Sequence, residues 1–416
     1  MLRHILSTSV ANLIGAVVGM GTGVVAARVL GVSGRGELAV VLNAVGLIYP
    51  LGSLGIKQVA ALYCGKRLLC SEALTSFHLW FAPALSVATT FIAVALVFLS
   101  SDEYPGPLIV VALLAWTLLR LHFDYRVGLY LGLMDIYKVN LMTVARALME
   151  FAAVAAFLVI RPAIESYLYG SSLSFAATLM AAYVVWGSPR YAGGPPVAMG
   201  NLVELRSMLT QFARRGALYA LPMFVMSLNY GADVLMLKYY ADSHAVGIYA
   251  VGVSLVNAIW FLPGIVNVVV FSHGVSVEKS RVDEYSRRIF RHAVRVMLLI
   301  LPAIVLMGLL AGWGIRLVFG LEFSESATAF IWLLPGCYAM ILFKLLNGDM
   351  AARGHPEVAL KVFGIAFVVN VVLNMLLIPS YGYVGAAIAS TLSYVAGSIH
   401  YAYNYIRITQ VLRPGT

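Results

Sequence analysis

Apolar runs of about twenty residues follow one another from near residue 5 to near residue 405, and this leaves the chain few ways to fold. In lipid, every backbone N–H and C=O must be satisfied within its own segment, so runs of this length become membrane-spanning helices. Broken at polar and Pro/Gly punctuation, the pattern predicts twelve spans, near 5–27, 38–60, 77–99, 108–128, 139–160, 172–187, 215–240, 247–271, 292–313, 327–348, 358–378 and 383–405. The sixth is short. Of the 416 residues, 61% are hydrophobic and 11% are charged. Soluble domains carry about a quarter charged residues, so this chain has too few to cover a water-facing surface. The reading is an all-α polytopic membrane protein.

The net charge of +10 would suggest nucleic acid in a soluble chain. Here the cations sit in loops between spans, where Lys/Arg bias sets orientation, so no nucleic-acid partner is expected. Cys64 and Cys70 flank one loop and Cys337 lies within a span, which gives neither a disulfide framework nor metal-ligand spacing. The first apolar run is too long for a signal segment and lacks an A-x-A-like cleavage site, so it is expected to remain as the first helix.

With the N-terminus cytoplasmic, the long basic interruptions 188–214 and 273–291 fall inside, together with Lys66, Arg67, Lys138, Arg353, Arg407 and Arg413. Arg28, Arg35, Arg161, Lys238 and Arg316 fall near the outer ends, and the outer loop "SDEYPGP" is acidic. Both termini are therefore expected in the cytoplasm of a multi-pass protein of the cell's inner membrane. The Pro/Gly-rich stretch 188–200 divides the spans six and six: an N-terminal bundle over 1–190, a cytoplasmic linker over 191–214 and a C-terminal bundle over 215–416. "GRGELAVVLNAVGLIYPLG" after span one resembles "AVGIYAVGVSLVNAIWFLPG" after span seven, which suggests a parallel pseudo-repeat about an axis normal to the membrane.

Catalytic signatures are missing. "GMGTG" at 19–23 has no following K-[ST] and no preceding strand, so it is not a phosphate loop. Gly15, Gly19 and Gly23 form a small-xxx-small series that predicts close helix packing or a bend. No H-E-x-x-H, G-x-S-x-G or paired-Cys motif occurs. A glycan polymerase or ligase would need a walled site outside the membrane. The expected outer connections are roughly a dozen residues or fewer, which argues against an enzyme and against any cofactor.

What the spans do contain is charge. "LLRLHFDYRVGLYLG" at 118–132 places Arg120, His122, Asp124 and Arg126 in span four. An isolated charge at mid-membrane costs on the order of 2.5–3.5 kcal/mol on insertion scales, so such residues call for a shared reason. At 100° per residue, Arg120 and Asp124 share one face, where they can pair, while His122 and Arg126 lie roughly opposite. Span five repeats the i,i+4 device with Arg146 and Glu150 in "TVARALMEF". Lys57, Arg126, Lys344 and Asp349 lie toward inner ends, where snorkelling competes with function, and Asp233 sits in span seven. His122 reads equally as a packing residue or a proton carrier. Arg120, Arg146 and Glu150 are too deep to snorkel and favour a wet cavity. Arg120, Arg146, Arg126, Lys57 and Lys344 are the candidate contacts to an anionic headgroup, since Arg forks suit phosphate. Asp124, Glu150, Asp233, Asp349 and His122 are the candidate counterions or coupling groups. Pro50, Pro222, Pro263, Pro302 and Pro335 are expected to bend or unwind helices near the cavity.

Two stretches resemble a known family. "AARVLGVSGRGELAVV" is similar to the "A-R-x-L-G-x-x-G-x-G" segment of bacterial polysaccharide exporters of the oligosaccharide-flippase type. "NGDMAARGHPEVALKVFGIAFVVNVVLNMLLIPSYGYVGAAIASTLSY" resembles the same family, with a loop Gly, an Asn-rich helix and an "L-x-P-x-x-G-x-x-G-A-A-x-A-T/S" pattern. The resemblance implies the multidrug/oligosaccharidyl-lipid/polysaccharide exporter fold, two six-helix bundles around a V-shaped central cavity that opens alternately to either side. It further implies ion-coupled translocation of an undecaprenyl-diphosphate-linked oligosaccharide between leaflets, with membrane lipids, a glycan polymerase and a chain-length regulator as partners. Multidrug exporters and peptidoglycan-precursor flippases share the fold. Fourteen spans mark the second group, and cationic cargo, which wants carboxylates, marks the first.

Overall fold

The computed structural model describes residues 2–101, 105–191, 193–194, 202–275, 277–278 and 282–411. Among these there is helix and no strand. The helices are α1 (Leu2–Gly52), α2 (Ile56–Gly65), α3 (Ser71–Ser101), α4 (Pro107–Gly132), α5 (Ile136–Ile160), α6 (Ile164–Trp186), α7 (Leu202–Tyr240), α8 (Ser243–Val275), α9 (Val282–Phe319), α10 (Ser326–Ala352) and α11 (Pro356–Thr409), with a 3-10 turn at Leu321–Phe323.

Ten helices among the described residues are long and apolar enough to cross a membrane. Two of them are double. α1 breaks at Gly31 (φ 69°, ψ −176°) and α11 at Gly382 (φ 54°, ψ −133°), backbone conformations that only glycine adopts without strain. Counting each half gives the twelve spans expected, and the chain is a multi-pass membrane protein. The breaks turn the chain with hardly any loop, which hydropathy reads as short connections.

Several boundaries differ from the sequence reading. The sixth span begins at Ile164 rather than near 172. Its first turns are rich in serine, yet Ser172 donates to the Leu168 carbonyl and Ser174 to that of Ser171. Hydroxyls returned to their own helix cost little burial, so the segment is less polar than its letters suggest. Likewise the described parts of α7 and α9 reach back to Leu202 and Val282, inside the two long polar interruptions, since a helix need not end where its apolar stretch ends. The small-residue series in α1 does not pack closely: a Cβ on Gly19 or Gly23 would meet nothing within 4 Å. Helix runs unbroken through Pro222, Pro263, Pro302 and Pro335 and breaks only beyond Pro50, at Ser53–Gly55.

The chain divides into two compact units, residues 1–34 with 40–227, and residues 35–39 with 228–416. In the first unit α4 is the hub, packed on α2, α3, α5 and α6. It approaches α2 so closely that a Cβ on Gly128 would lie 2.4 Å from the Lys57 carbonyl oxygen. In the second unit α10 plays that part against α8, α9 and α11. Buried polar side chains collect mostly on the helices packed around the hubs, α3 and α6 in the first unit and α11 in the second.

Candidate functional site

In the first unit the polar residues of four helices join into one network. Arg146 and Glu150 on α5 pair as their spacing requires, with Nη1 2.6 Å from Oε2 and side chains 25% and 15% exposed. The other Glu150 oxygen accepts from Ser171 Oγ on α6 at 2.7 Å. Ser171 in turn accepts from Trp116 Nε1 on α4 at 3.0 Å. The Arg146 guanidinium lies 5.1 Å from the Phe175 ring, which itself meets Trp116 edge-on.

Trp116 carries the network on to Arg120. That guanidinium lies 3.9 Å from the Tyr49 ring centre and 4.8 Å from Trp116. Tyr49, from the second half of α1, donates its hydroxyl to Asp124 Oδ2 at 2.7 Å. The direct Arg120–Asp124 ion pair expected from the i,i+4 spacing does not form among the described residues. Tyr49 comes between them, offering its ring to the cation and its hydroxyl to the acid. A planar, weakly hydrated guanidinium accepts an aromatic face readily.

This geometry has a chemical consequence. Arg120 lies over the Tyr49 and Trp116 rings and Arg146 over that of Phe175, and each acid accepts from a neutral donor. Arg146 gives one of its five N–H groups to Glu150, and Arg120 has no carboxylate within ion-pair distance among the described residues. The network carries two cations and two acids, so a cationic excess is not local to it. An entering anion would exchange with Glu150 for the Arg146 donor, whereas at Arg120 it meets a guanidinium held by aromatic faces.

The other candidates on α4 lie away from this face. His122 Nδ1 is 2.9 Å from the Leu118 carbonyl oxygen, and its ring meets His78 edge-on at 4.7 Å. His78 is buried and stacked on Tyr125 at 4.0 Å. Arg126 does not snorkel. It is 1% exposed, lies over the Tyr183 ring at 3.9 Å, and donates to the Ala182 and Gly187 carbonyls and to the Tyr130 hydroxyl. It thereby caps the C-terminal end of α6, where a cation complements the helix dipole. Lys57, half-buried near the start of α2, makes no hydrogen bond or ion pair among the described residues.

The second unit builds a different cluster. Asp233 on α7 is 2% exposed, and its Oδ2 accepts from Tyr249 on α8 and, at 2.6 Å, from Ser390 on α11. Asn370 Nδ2 reaches Ser390 Oγ at 3.4 Å, and Asn374 donates to Asn370 Oδ1 at 2.9 Å. Asp233 Oδ1 and Asn374 Oδ1 are buried without a donor. Lys344 on α10 lies 5.0 Å from the Trp260 ring and 5.8 Å from Tyr230. Asp349, expected near the headgroups, is instead 1% exposed and accepts from Ser286 on α9 and Tyr405 on α11. Arg353 stands 3.8 Å from it and also bonds Ser286, the Val282 carbonyl and Asp283. That constellation ties three helix ends together.

Sequence reasoning missed Tyr49, Trp116, Ser171 and Phe175, because aromatic and hydroxyl side chains are ordinary in a span. Tyr249 and Ser390 share that fate. Asn370 and Asn374 left a usable signal, two amides four residues apart in an otherwise apolar run. No group of three or more His, Cys, Asp or Glu side chains among the described residues forms a metal cluster.

Comparison with known proteins sets these sites in a family. Residues 1–272 match the model of the family described as polysaccharide biosynthesis protein, and residues 245–413 match that of the lipid II flippase MurJ. Among curated proteins of Haloferax volcanii, the probable low-salt glycan biosynthesis flippase Agl15 is 30% identical over 115 residues, 27% of this chain and 24% of that protein. The probable flippase AglR is 29% identical over 175 residues, 40% of this chain and 36% of that protein. The matches thus span about a quarter to a third of those relatives' lengths. Among solved structures, an inward closed form of the lipid II flippase MurJ superposes with a TM-score of 0.71 at 15% identity, covering 97% of this chain and 90% of that one. An inward-facing multidrug resistance MATE transporter of the MOP superfamily gives 0.70 at 14%, covering 97% and 96%. The fold is that of these transporters, and the chain belongs to the polysaccharide biosynthesis protein family.

Proposed function

We propose that the protein is a flippase that carries a polyprenyl-diphosphate-linked oligosaccharide from the inner to the outer leaflet for synthesis of a cell-surface glycan. The observation that carries this reading is the Arg120–Tyr49–Trp116–Ser171–Glu150–Arg146 network. Arg146 offers a planar fork whose Glu150 partner can be exchanged and Arg120 one held over aromatic faces, which suits a diphosphate that arrives, displaces Glu150 and later gives way to it. The names of the Haloferax relatives and the description of the family support the same reading. Lys57 and Lys344 are secondary contacts for the headgroup or for acidic sugars. A glycan polymerase and a chain-length regulator would act on the product.

The coupling group in this reading is Asp233. A buried carboxylate with one oxygen lacking a donor is costly unless a proton or a small cation completes it. Asn374 Oδ1, equally without a donor, and the Ser390 hydroxyl supply neutral oxygens of the kind a hard monovalent cation takes. Both termini, the 188–214 segment and the 273–291 segment lie in the cytoplasm, and a membrane-impermeant thiol reagent on a cysteine at 188 tests this. Ser280, a natural second labelling position, lies outside the described residues.

The functional test is surface glycan in a deletion strain complemented with variants, normalised to membrane-inserted protein. Arg146→Ala abolishes export at normal protein level, and Arg146→Lys restores part of it because the planar fork is lost. Full export by the Arg120→Ala, Arg146→Ala double variant would make the network purely structural. Export of cationic dyes with no effect on glycan would instead point to a drug antiporter.

A further inference from the structure

α9 has 38 residues and is therefore about 57 Å long, against a hydrocarbon core of about 30 Å. Its apolar part begins near Val296, so the first fourteen residues, 282–295, extend beyond the core as an amphipathic shaft. The two faces of the whole helix are cleanly divided. Ser286, Ala293, Ile304, Ala311, Ile315 and Phe319 are buried against the unit. On the opposite side, Leu299, Leu306, Leu309 and Trp313 are all more than half exposed, as side chains in lipid are.

Following that lipid-facing stripe back toward the start of α9 leads directly onto charge. Arg288, Arg291, His292 and Arg295 fall within roughly 60° of one line at 100° per residue, and all four are exposed. One acid shares the stripe: Glu284, 3.1 Å from Arg288. Arg291 turns its Nε to its own helix, toward the Arg287 carbonyl. Arg295 and His292 have no partner among the described residues. A Lys/Arg bias toward one side of the membrane does not require cations to line up on the lipid side of a single helix. Here Arg295 sits one turn from the first lipid-exposed leucines, Leu298 and Leu299, at headgroup depth, with Arg291 and Arg288 one and two turns further out.

We propose that this stripe is a docking surface for anionic phospholipid headgroups of the leaflet it meets, with acyl chains lying along the Leu298/Leu299–Leu306 face. Charge complementarity and continuity with the lipid-facing surface favour that occupant over a protein, which would have to cover an acid-poor basic ridge standing in the headgroups. Each juxtamembrane cation contributes about fivefold to binding of anionic lipid. The same turns hold Ser286 in the Asp349–Arg353–Tyr405 knot on their inner face, so a bound lipid would steady the helix from outside while the knot holds it from inside.

The test uses the purified full-length protein in nanodiscs of phosphatidylcholine with or without one-tenth cardiolipin or phosphatidylglycerol. Thermal melting and the number of anionic lipids retained in native mass spectrometry are the readouts. Anionic lipid raises the melting temperature of wild type by several degrees, and 0.5 M salt removes most of the gain, as expected of exposed charges. The Arg288→Gln, Arg291→Gln, Arg295→Gln variant loses at least tenfold in anionic-lipid affinity while melting like wild type in neutral lipid. The Arg206→Gln, Arg214→Gln variant, altered on the exposed face of α7, keeps the effect. A salt-insensitive gain or no gain in wild type, or equal loss in both variants, would overturn the assignment. Because neither readout involves transport, the result stands apart from the flippase reading.

Discussion

The polar cluster of the first unit and that of the second solve opposite problems. Around Trp116 the charges are balanced, partly exposed and held by exchangeable contacts: Glu150 by an arginine and a serine, Asp124 by a tyrosine. Around Asp233 a single carboxylate is sealed among hydroxyls and amides with no ion-pair partner among the described residues, and two oxygens lack donors. In the proposed reading the first arrangement releases cations to an anionic ligand, and the second takes a positive charge from outside the protein. Burial decides between them, because a carboxylate in low dielectric without a partner is far more costly than one beside a guanidinium.

The comparison breaks most visibly at the arginines. Replacing both Arg120 and Arg146 with alanine lowers glycan export at least a hundredfold, the size expected when two charge-assisted contacts to a diphosphate are lost. Asp233→Asn comes next. It lowers gradient-driven transport about tenfold and flattens its dependence on the imposed ion gradient, while affinity for the diphosphate headgroup stays unchanged. If that variant lost headgroup affinity instead, the two clusters would be parts of one binding site.

Much of this division was legible in the sequence, and the missing part has a common cause. The spans follow from apolar run length, and Arg146–Glu150 from i,i+4 spacing, since both are local properties of a helix. Arg120 and Asp124 have the same spacing, yet their pairing is decided by Tyr49, 75 positions away from Asp124. Arg126 was legible as a charge near the inner headgroups, free to snorkel, but not as the buried cap of α6, whose last turn lies 56 to 61 residues downstream. The serines of α6 concealed a helix start because hydropathy counts hydroxyls without knowing where they donate. Asp349 looked like a headgroup residue until the Ser286 and Tyr405 hydroxyls came in from two other helices. Local pattern gives elements and neighbours within a helix, whereas packing gives partners.

A smaller effect separates positioning from contact. Ser171→Ala removes the hydroxyl that links Trp116 to Glu150, and a hydrogen bond to a charged group is worth about 1.5–3 kcal/mol when buried. Because Glu150 is partly exposed, solvent reduces this to about 1 kcal/mol. The expected result is a several-fold weaker headgroup affinity with unchanged ion dependence. Smallest on transport is Gly128→Ala, which presses a methyl onto the Lys57 carbonyl where α4 meets α2. Overpacking of this kind costs about 1–3 kcal/mol. It lowers the melting temperature by a few degrees, whereas Gly23→Ala, facing open space, leaves it unchanged.

The most direct test is transbilayer movement of a fluorescent polyprenyl-diphosphate oligosaccharide in proteoliposomes, read as loss of signal to a reductant that cannot cross the membrane. The account predicts movement by wild type, none above empty liposomes by the Arg120→Ala, Arg146→Ala double variant at equal insertion, and an intermediate rate for Arg146→Lys. Equal rates for wild type and the double variant would contradict it.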